Sequence, residues 1–342
     1  MKRRVLAVLL TMSMIFTVVG CGAKNEQETA GSVATSEGIT STESTENASE
    51  VATDASSQSG DYKVAFICKD NSDTFCLGVQ NEFKNAVEQY EDLYTVDYFD
   101  SQGKAEVQNN QIETCTASGY NAIVFQQVDA EAPISVVKAA LDKGIYVIVT
   151  TGHIEDDGAS WYIDADPYQQ GQIIAQYAAD NGYLDNAEVA ILSGPTGNYH
   201  SENRIKAYND VVGTVDGASV VATEVGGWSK DDAMTITQNW LVANPNLKVI
   251  LSANDDMAMG AVEAIEMAGK EGEISVFAID GTDAGIQAVK EGKLCGTVKQ
   301  DIVSYANNAA DFAATLLQGG TEESMKIDST LITKENVDEY LN

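Results

Sequence analysis

The residues best suited to chemistry in this chain stand where apolar runs stop. Val249, Ile250 and Leu251 end at Asn254, Asp255 and Asp256, and Val276 to Ile279 end at Asp280, Gly281 and Asp283. Apolar runs followed at once by helical spacing read as buried parallel strands of βα units. Open α/β sheets take their ligands just beyond the carboxyl ends of such strands. Asn254 and Asp280 therefore share one rim. Other polar and aromatic groups follow other runs: Asp73 and Phe75 after Val64–Cys68, Thr151 and His153 after Tyr146–Thr150, and Asn198, His200 and Arg204 after Val189–Leu192. Trp228 follows Val220–Val225, and Gln300 stands at a later crossing of the chain. Carboxylates, amides and a guanidinium hydrogen-bond through two atoms at once, and aromatic rings cover apolar C–H faces. Such a set fits a ring of hydroxyls with two apolar faces, that is, a sugar.

Catalysis has less support. The chain lacks GxSxG, HExxH, P-loop and GxGxxG motifs. Its two histidines, His153 and His200, suit hydrogen bonding to a ligand, but neither stands in a recognisable Ser or Cys arrangement. Glu155-Asp156-Asp157 lacks the alternating oxygen ligands and closing Glu of a calcium loop and reads as a solvated turn. The expectation is a binding protein, not an enzyme, with no catalytic residue, no cofactor and no metal. Each rim residue also has an ordinary use. Asn254 suits a helix N-cap, Asp280 a turn, Arg204 a surface ion pair and Phe75 a hydrophobic staple. Trp228 could be a core aromatic, although Gly226, Gly227 and Ser229 around it suggest an exposed loop; Trp240 reads as core.

The elements that must position these residues repeat. Strands are expected at Val64–Cys68, Tyr94–Phe99, Ala122–Phe125 and Tyr146–Thr150, with helices near 76–90, 105–118 and 131–143. A second series has helices near 167–182, 203–212 and 231–243 and strands at Val189–Leu192 and Val220–Val225, closed by the two strands already named. Strands alternating with helices indicate parallel sheets. VAFICKDNSD and VAILSGPTGN open the two series alike, and IYVIVTTG in the first stands where ISVFAIDG stands in the second. The expected fold is α/β, two similar doubly wound parallel-sheet lobes joined by a multi-strand hinge. The chain would cross near 163–166 and again near Gln300. Residues 61–164 with about 301–320 would form one lobe, and 165–300 with about 321–342 the other. A ligand between the lobes would be gripped by their closure.

With 342 residues and 44 % hydrophobic content the chain can form both cores. Its net charge of −32 repels nucleic acid and anionic lipid. Lys2, Arg3 and Arg4 precede a short apolar stretch, Val5–Val19, which reads as a secretory signal over residues 1–20. It ends in Val18-Val19-Gly20-Cys21, which resembles a bacterial lipobox and would make Cys21 the lipidated first residue. The Ser-, Thr- and Glu-rich segment to Gly60 has too few large apolar residues to fold and reads as an acidic tether. No other segment is long enough to span a bilayer. The globule would therefore be held on the outer face of the cytoplasmic membrane. Cys68, Cys76, Cys115 and Cys295 match no metal spacing; Cys68 and Cys76 flank one loop and could pair.

From about Tyr62 to Gly320 the sequence resembles the type I periplasmic binding proteins of ABC sugar importers, especially the galactose/glucose and ribose binders. Asp73-Thr74-Phe75 resembles the Asp-x-Phe of the hexose binders, and Trp228, Ala233 and Trp240-Leu241 reproduce a spacing whose first Trp forms the opposite stacking face. SANDDMAMGAVEAI and FAIDG match the segments that give Asn254 and Asp280 to the sugar, GTVKQD places Gln300 as an amide ligand, and HSENRIKAY places Arg204 on ring and hydroxyl oxygens. The resemblance implies capture of a monosaccharide, an aldohexose such as galactose or glucose, for delivery to an ABC permease. The alternatives are a pentose, inositol or furanose signal molecule, or service to a chemotaxis or sensor partner. The expected state is a monomer. The sequence departs from these relatives where hexose binders carry an Asn and ribose binders an Asp-Arg pair, for it has Thr151-Gly152 followed by His153. Asn198, Tyr199 and His200 also replace the usual acidic and aromatic residues before the Arg. The enteric calcium loop is missing between Asn181 and Val189. The wall from Asp73 to His153 is thus the one expected to decide which sugar binds.

Overall fold

In the first segment, alternate residues of one strand enter two different cores. Val64, Phe66 and Cys68 join a cluster with Phe83, Tyr305 and Phe312, while Ala65 and Ile67 join another with Ile112, Phe125 and Val149. A strand apolar on both faces must lie inside a sheet covered by helices on each side. A computed structural model describes residues 62–341 and shows this layering twice. The signal, Cys21 and the tether lie outside the described residues, which belong to one compact unit, Ser56–Asn342. No helix among the described residues is long and apolar enough to cross a membrane.

The first lobe contains β1 (Tyr62–Cys68), α1 (Thr74–Ala86), β2 (Tyr94–Asp100), α2 (Ala105–Ala117), β3 (Ala122–Phe125), α3 (Ile134–Leu141), β4 (Tyr146–Thr150) and β5 (Trp161–Asp164). The second contains α4 (Pro167–Asp180), β6 (Glu188–Ser193), α5 (Tyr199–Val212), β7 (Ser219–Val225), α6 (Lys230–Ala243), β8 (Leu247–Ser252), α7 (Asp255–Met267), β9 (Ser275–Asp280), α8 (Asp283–Glu291) and β10 (Gly296–Gln300). The chain then returns to the first lobe as α9 (Ile302–Leu317), whose Tyr305, Ala309 and Ala313 pack with Phe66 and Phe83. It ends with β11 (Met325–Lys326) and β12 (Ser329–Thr333).

Each sheet has six strands, in the orders β11-β5-β4-β3-β1-β2 and β12-β10-β9-β8-β6-β7. All pairings are parallel except that of β12 with β10. In both sheets the strand order reverses about the first strand of the lobe, which opens a crevice at the carboxyl ends. One expected boundary is corrected. Met325–Lys326 pairs with Ile163–Asp164 in the first sheet, so residues 321–342 do not all belong to the second lobe. The chain therefore crosses three times, after Asp164, after Gln300 and after Ile327. The third crossing escapes sequence reading because a two-residue strand has no periodicity to read. Cys68, Cys76, Cys115 and Cys295 are all free thiols, and the first three are buried.

Candidate ligand-binding site

Loops from both crevices meet around one cavity of about 350 Å³, counting its open mouth. The first lobe lines it with Lys69, Asp73, Phe75, Cys76, Gln127 and Thr151. The second lines it with Asn198, His200, Arg204, Trp228, Asn254, Asp280 and Gln300. The lobes are closed on each other. Asn198 Nδ2 donates to the Val128 carbonyl at 3.3 Å, and the Ala130 amide donates to the Gly197 carbonyl at 3.1 Å. On the other edge the Thr74 amide donates to Asp256 at 3.4 Å.

Several expected ligands double as caps, because a strand end followed by a helix needs an acceptor for the free N–H groups of the first turn. Asp73 accepts from the Cys76 amide at 2.9 Å, Asn198 from Ser201 at 3.1 Å and Asn254 from Met257 at 3.0 Å. The cap is thus a second use for each, compatible with lining the cavity. Phe75 likewise does both: it packs edge-on against Tyr305 in the core and still forms cavity wall.

Arg204 is not a surface ion-pair partner; it is 2 % exposed. Its Nε and Nη2 donate to Gln170 Oε1 at 3.1 and 2.7 Å, and Nη1 donates to the Ala253 carbonyl at 2.8 Å. Nη1 also lies 3.8 Å from Asp280. Gln300 Nε2 donates to Asp280 at 2.7 Å, while its Oε1 accepts from Gln170 Nε2 at 3.1 Å. Burial raises the Asp280 carboxyl well above its usual pKa, with Arg204 and Gln300 opposing and Asp255 and Asp73 adding to the rise. His200 contacts both Asp164 oxygens at 2.9 Å through Nε2 and faces Arg204 Nη2 through Nδ1 at 3.3 Å. A donor at Nδ1 and a carboxylate at Nε2 select the neutral Nε2–H tautomer. Burial keeps it neutral, pushing its pKa down despite Asp164. One buried polar chain thus runs from the first crossing at Asp164 to the second at Gln300, through the cavity-lining Arg204.

Trp228 also lines the cavity, with its ring against Gly194; a Cβ there would lie 2.2 Å from the indole. It is half-buried and packs on the second core, so it is cavity wall and core aromatic at once. Trp240 is core, 2 % exposed, with its N–H donating to Glu224. Thr151, Trp228 and Asp280 have φ of 57°, 69° and 136°. Such strained backbone costs about 1–3 kcal/mol per residue and clusters at functional sites.

His153 is the one correction among the expected ligands. It does not line the cavity; its ring stacks on Tyr162 at 3.9 Å and faces Tyr199 of the second lobe at 5.2 Å. Past the positive-φ turn at Thr151, Gly152 packs against Gln127 and Ile154 enters the core, and the His153 ring between them packs on the two tyrosines instead of the cavity.

Three lining residues were not anticipated. Lys69 places its ammonium 2.8 Å from Asp73 and 5.0 Å from the centre of the Trp228 ring. Burial, the largest influence, lowers its pKa, but Asp73 and Cys76 together raise it above the ordinary lysine value; Lys69 in turn holds Asp73 below the usual carboxylate range against the effect of burial. Cys76 follows Phe75 in the first turn of α1, and Gln127 is the second residue past β3. The strand-end rule that singles out Asp280 applies equally to Lys69 and Gln127 and would have found both.

The model of the periplasmic binding protein domain matches residues 64–321. The chain belongs to the periplasmic binding protein family. Among its relatives is the xylitol-binding protein of Mycolicibacterium smegmatis, 28 % identical over 283 residues, 78 % of this chain and 80 % of that one. The D-ribose/D-allose-binding protein of Pseudomonas aeruginosa is 25 % identical over 276 residues, 77 % of this chain and 85 % of the other. A Bacillus halodurans ABC transporter solute-binding protein, solved with bound myo-inositol, superposes with a TM-score of 0.79 at 26 % identity, covering 82 % of this chain and 97 % of that chain. The fold of this periplasmic binding protein is therefore the two-lobed α/β type I fold.

Proposed function

We propose that this chain is the extracytoplasmic solute receptor of an ABC importer, and that its ligand is a small neutral polyol of the pentose, inositol or furanose kind. The observation that carries this reading is the cavity between closed lobes, lined by a fixed set of carboxylate, amide and guanidinium groups together with the rings of Phe75 and Trp228. Hydroxyls both donate and accept, so they can serve all of these groups. The expected aldohexose, galactose or glucose, gives way to the alternative. The relatives named above bind xylitol, ribose and the aldohexose allose, or inositol, none of them galactose or glucose, and the Thr151-Gly152 wall departs from the galactose/glucose pattern. Proteins of this family bind solutes, and we read no catalytic role into the site. Asp73, Phe75, Thr151, Asn198, His200, Arg204, Trp228, Asn254, Asp280 and Gln300 are the proposed contacts, now joined by Lys69, Cys76 and Gln127. We further propose that Cys21 carries the lipid anchor and that the receptor acts as a monomer.

The test is thermal shift and titration calorimetry of residues 56–342 against xylitol, myo-inositol, ribose, allose, arabinose, galactose and glucose. A ligand at 100 times its dissociation constant stabilises by about 2.7 kcal/mol. Stabilisation by a pentose, pentitol or inositol supports the reading. A response to galactose or glucose alone restores the aldohexose assignment, and no response to any polyol removes the carbohydrate reading altogether.

A further inference from the structure

Gln127 is the most deeply buried amide in the cavity wall that has nothing to bond to. It is 1 % exposed, yet neither its Oε1 nor its Nε2 has a hydrogen-bond partner among the described residues. Its neighbour Gln126 shows the usual arrangement, with Oε1 accepting from the Lys69 amide and Nε2 donating to the Cys76 carbonyl, each at 3.3 Å. Thr151 Oγ1, in the same wall, is also buried and unpartnered. Leaving such groups unserved in a closed protein is costly, so the cavity's occupant is what they await.

The space that Gln127 fills has a specific origin. A Cβ on Gly152 would lie 2.3 Å from Gln127 Cγ, 3.2 Å from Cδ and 3.4 Å from Nε2. A side chain at 152 and the present position of Gln127 therefore exclude each other. That wall holds a neutral amide and a neutral hydroxyl, and Lys69, the cation the first lobe gives to the cavity, is already paired with Asp73.

We propose that Gln127, admitted to the cavity by the missing side chain of Gly152, is a specificity-determining residue that with Thr151 reads two adjacent hydroxyls of the ligand. This rests on the polyol-receptor reading above. The primary amide offers two N–H donors and a carbonyl acceptor, and the threonine hydroxyl offers one donor and an acceptor. Only a partner that both donates and accepts satisfies them together. A carboxylate or phosphate would leave Gln127 Oε1 without a donor, and an ammonium would leave Nε2 without an acceptor. The class selected is a neutral vicinal diol, and a deoxy position on that edge is rejected because it orphans a buried amide.

The test uses residues 56–342, the polyol that binds best, and its complete set of monodeoxy analogues in titration calorimetry. For the wild-type chain, removal of one or two neighbouring hydroxyls is expected to weaken binding 10- to 100-fold through this wall. Gln127→Leu should weaken the parent polyol by a similar factor and reduce discrimination against those same analogues to under threefold, with discrimination at other positions unchanged. Thr151→Val, which keeps the side-chain shape, should do the same for one of the two positions. Gly152→Ala, by pushing Gln127 aside, should reproduce the Gln127→Leu profile. An unchanged deoxy profile in Gln127→Leu and Thr151→Val overturns the inference, as does equal weakening of every analogue. Failure of any polyol to bind the wild-type chain would instead overturn the receptor reading and this inference with it.

Discussion

Replacing Arg204 with methionine tests the buried polar chain most directly. The guanidinium makes three hydrogen bonds of 2.7–3.1 Å to Gln170 and Ala253 and faces Asp280 at 3.8 Å, with both charged side chains almost fully buried. Methionine matches the stem but leaves Asp280 as a buried carboxylate without its cation. Removing one partner of a buried pair costs about 3–5 kcal/mol. At roughly 2 °C per kcal/mol for a chain of this size, the melting temperature should fall by about 6–10 °C at pH 7.5. The loss must shrink on acidification, and the sign follows from Asp280. Burial already raises its carboxyl, and Arg204 is the main group opposing the rise. Without Arg204 the folded state holds the proton over a wider range than the unfolded chain, whose Asp titrates near 3.9. Stability of the variant relative to wild type therefore increases as pH falls towards 5. His200 acts in the same direction, since Arg204 is one of the groups keeping its pKa low. Differential scanning fluorimetry from pH 5 to 8 measures this directly. Arg204→Met/Asp280→Leu, which removes both charges, should regain part of the loss and show no such pH dependence. A deficit under about 1 kcal/mol, or one independent of pH, would refute the coupling of Arg204 to Asp280.

Three further outcomes are expected. Gly194→Ala puts a methyl 2.2 Å from the Trp228 ring, so tryptophan fluorescence should shift, ligand affinity should drop at least tenfold, and the overpacking should cost about 1–3 kcal/mol of stability. His153→Ala removes a ring that bridges Tyr162 and Tyr199 across the cleft; it should weaken binding about three- to tenfold by faster dissociation, seen in stopped-flow, without altering which ligand is preferred. Asp255, 0 % exposed, accepts from Thr297 Oγ1 and from both the amide and hydroxyl of Thr282, and burial pushes its pKa up to about 6. Asp255→Asn should cost about 1–3 kcal/mol at pH 7 by setting an amide donor against the Thr282 N–H. Wild-type stability held in this group falls as pH rises from about 4 to about 6, because the folded state keeps the proton longer, and in urea titrations the variant should be flatter over that window.

The local code of this chain is strong. Apolar runs followed by helical spacing mark the first four strands of each lobe, because burial on two sheet faces leaves a continuous apolar stretch, whereas β5, β10, β11 and β12 carry no such run and stay unmarked. The strand-end rule likewise points to a site, and every expected rim residue except His153 lines the cavity. What escapes such reading is decided by contacts between distant segments. Lys69 looks like a solvated lysine beside Asp70 until closure brings Trp228 over it. His153 sits at a strand end like the true lining residues, and only the turn at Thr151 and packing on Tyr162 and Tyr199 take its ring from the cavity. The two-residue β11 gains its meaning solely from pairing with β5.

The sequence by itself determined the layered α/β architecture, its duplication and the chemical kind of its rim, since these follow from periodicity and residue type. Tertiary structure alone decided which polar groups of the cavity wall are served by the protein and which are not. Arg204, Gln170 and Gln300 satisfy one another, whereas Gln127 and Thr151 do not, and that difference depends on a side-chain-free Gly152 meeting a strand end from elsewhere in the fold. Hydrogen-bond satisfaction is a property of packed neighbours, so no reading of spacing along the chain could supply it.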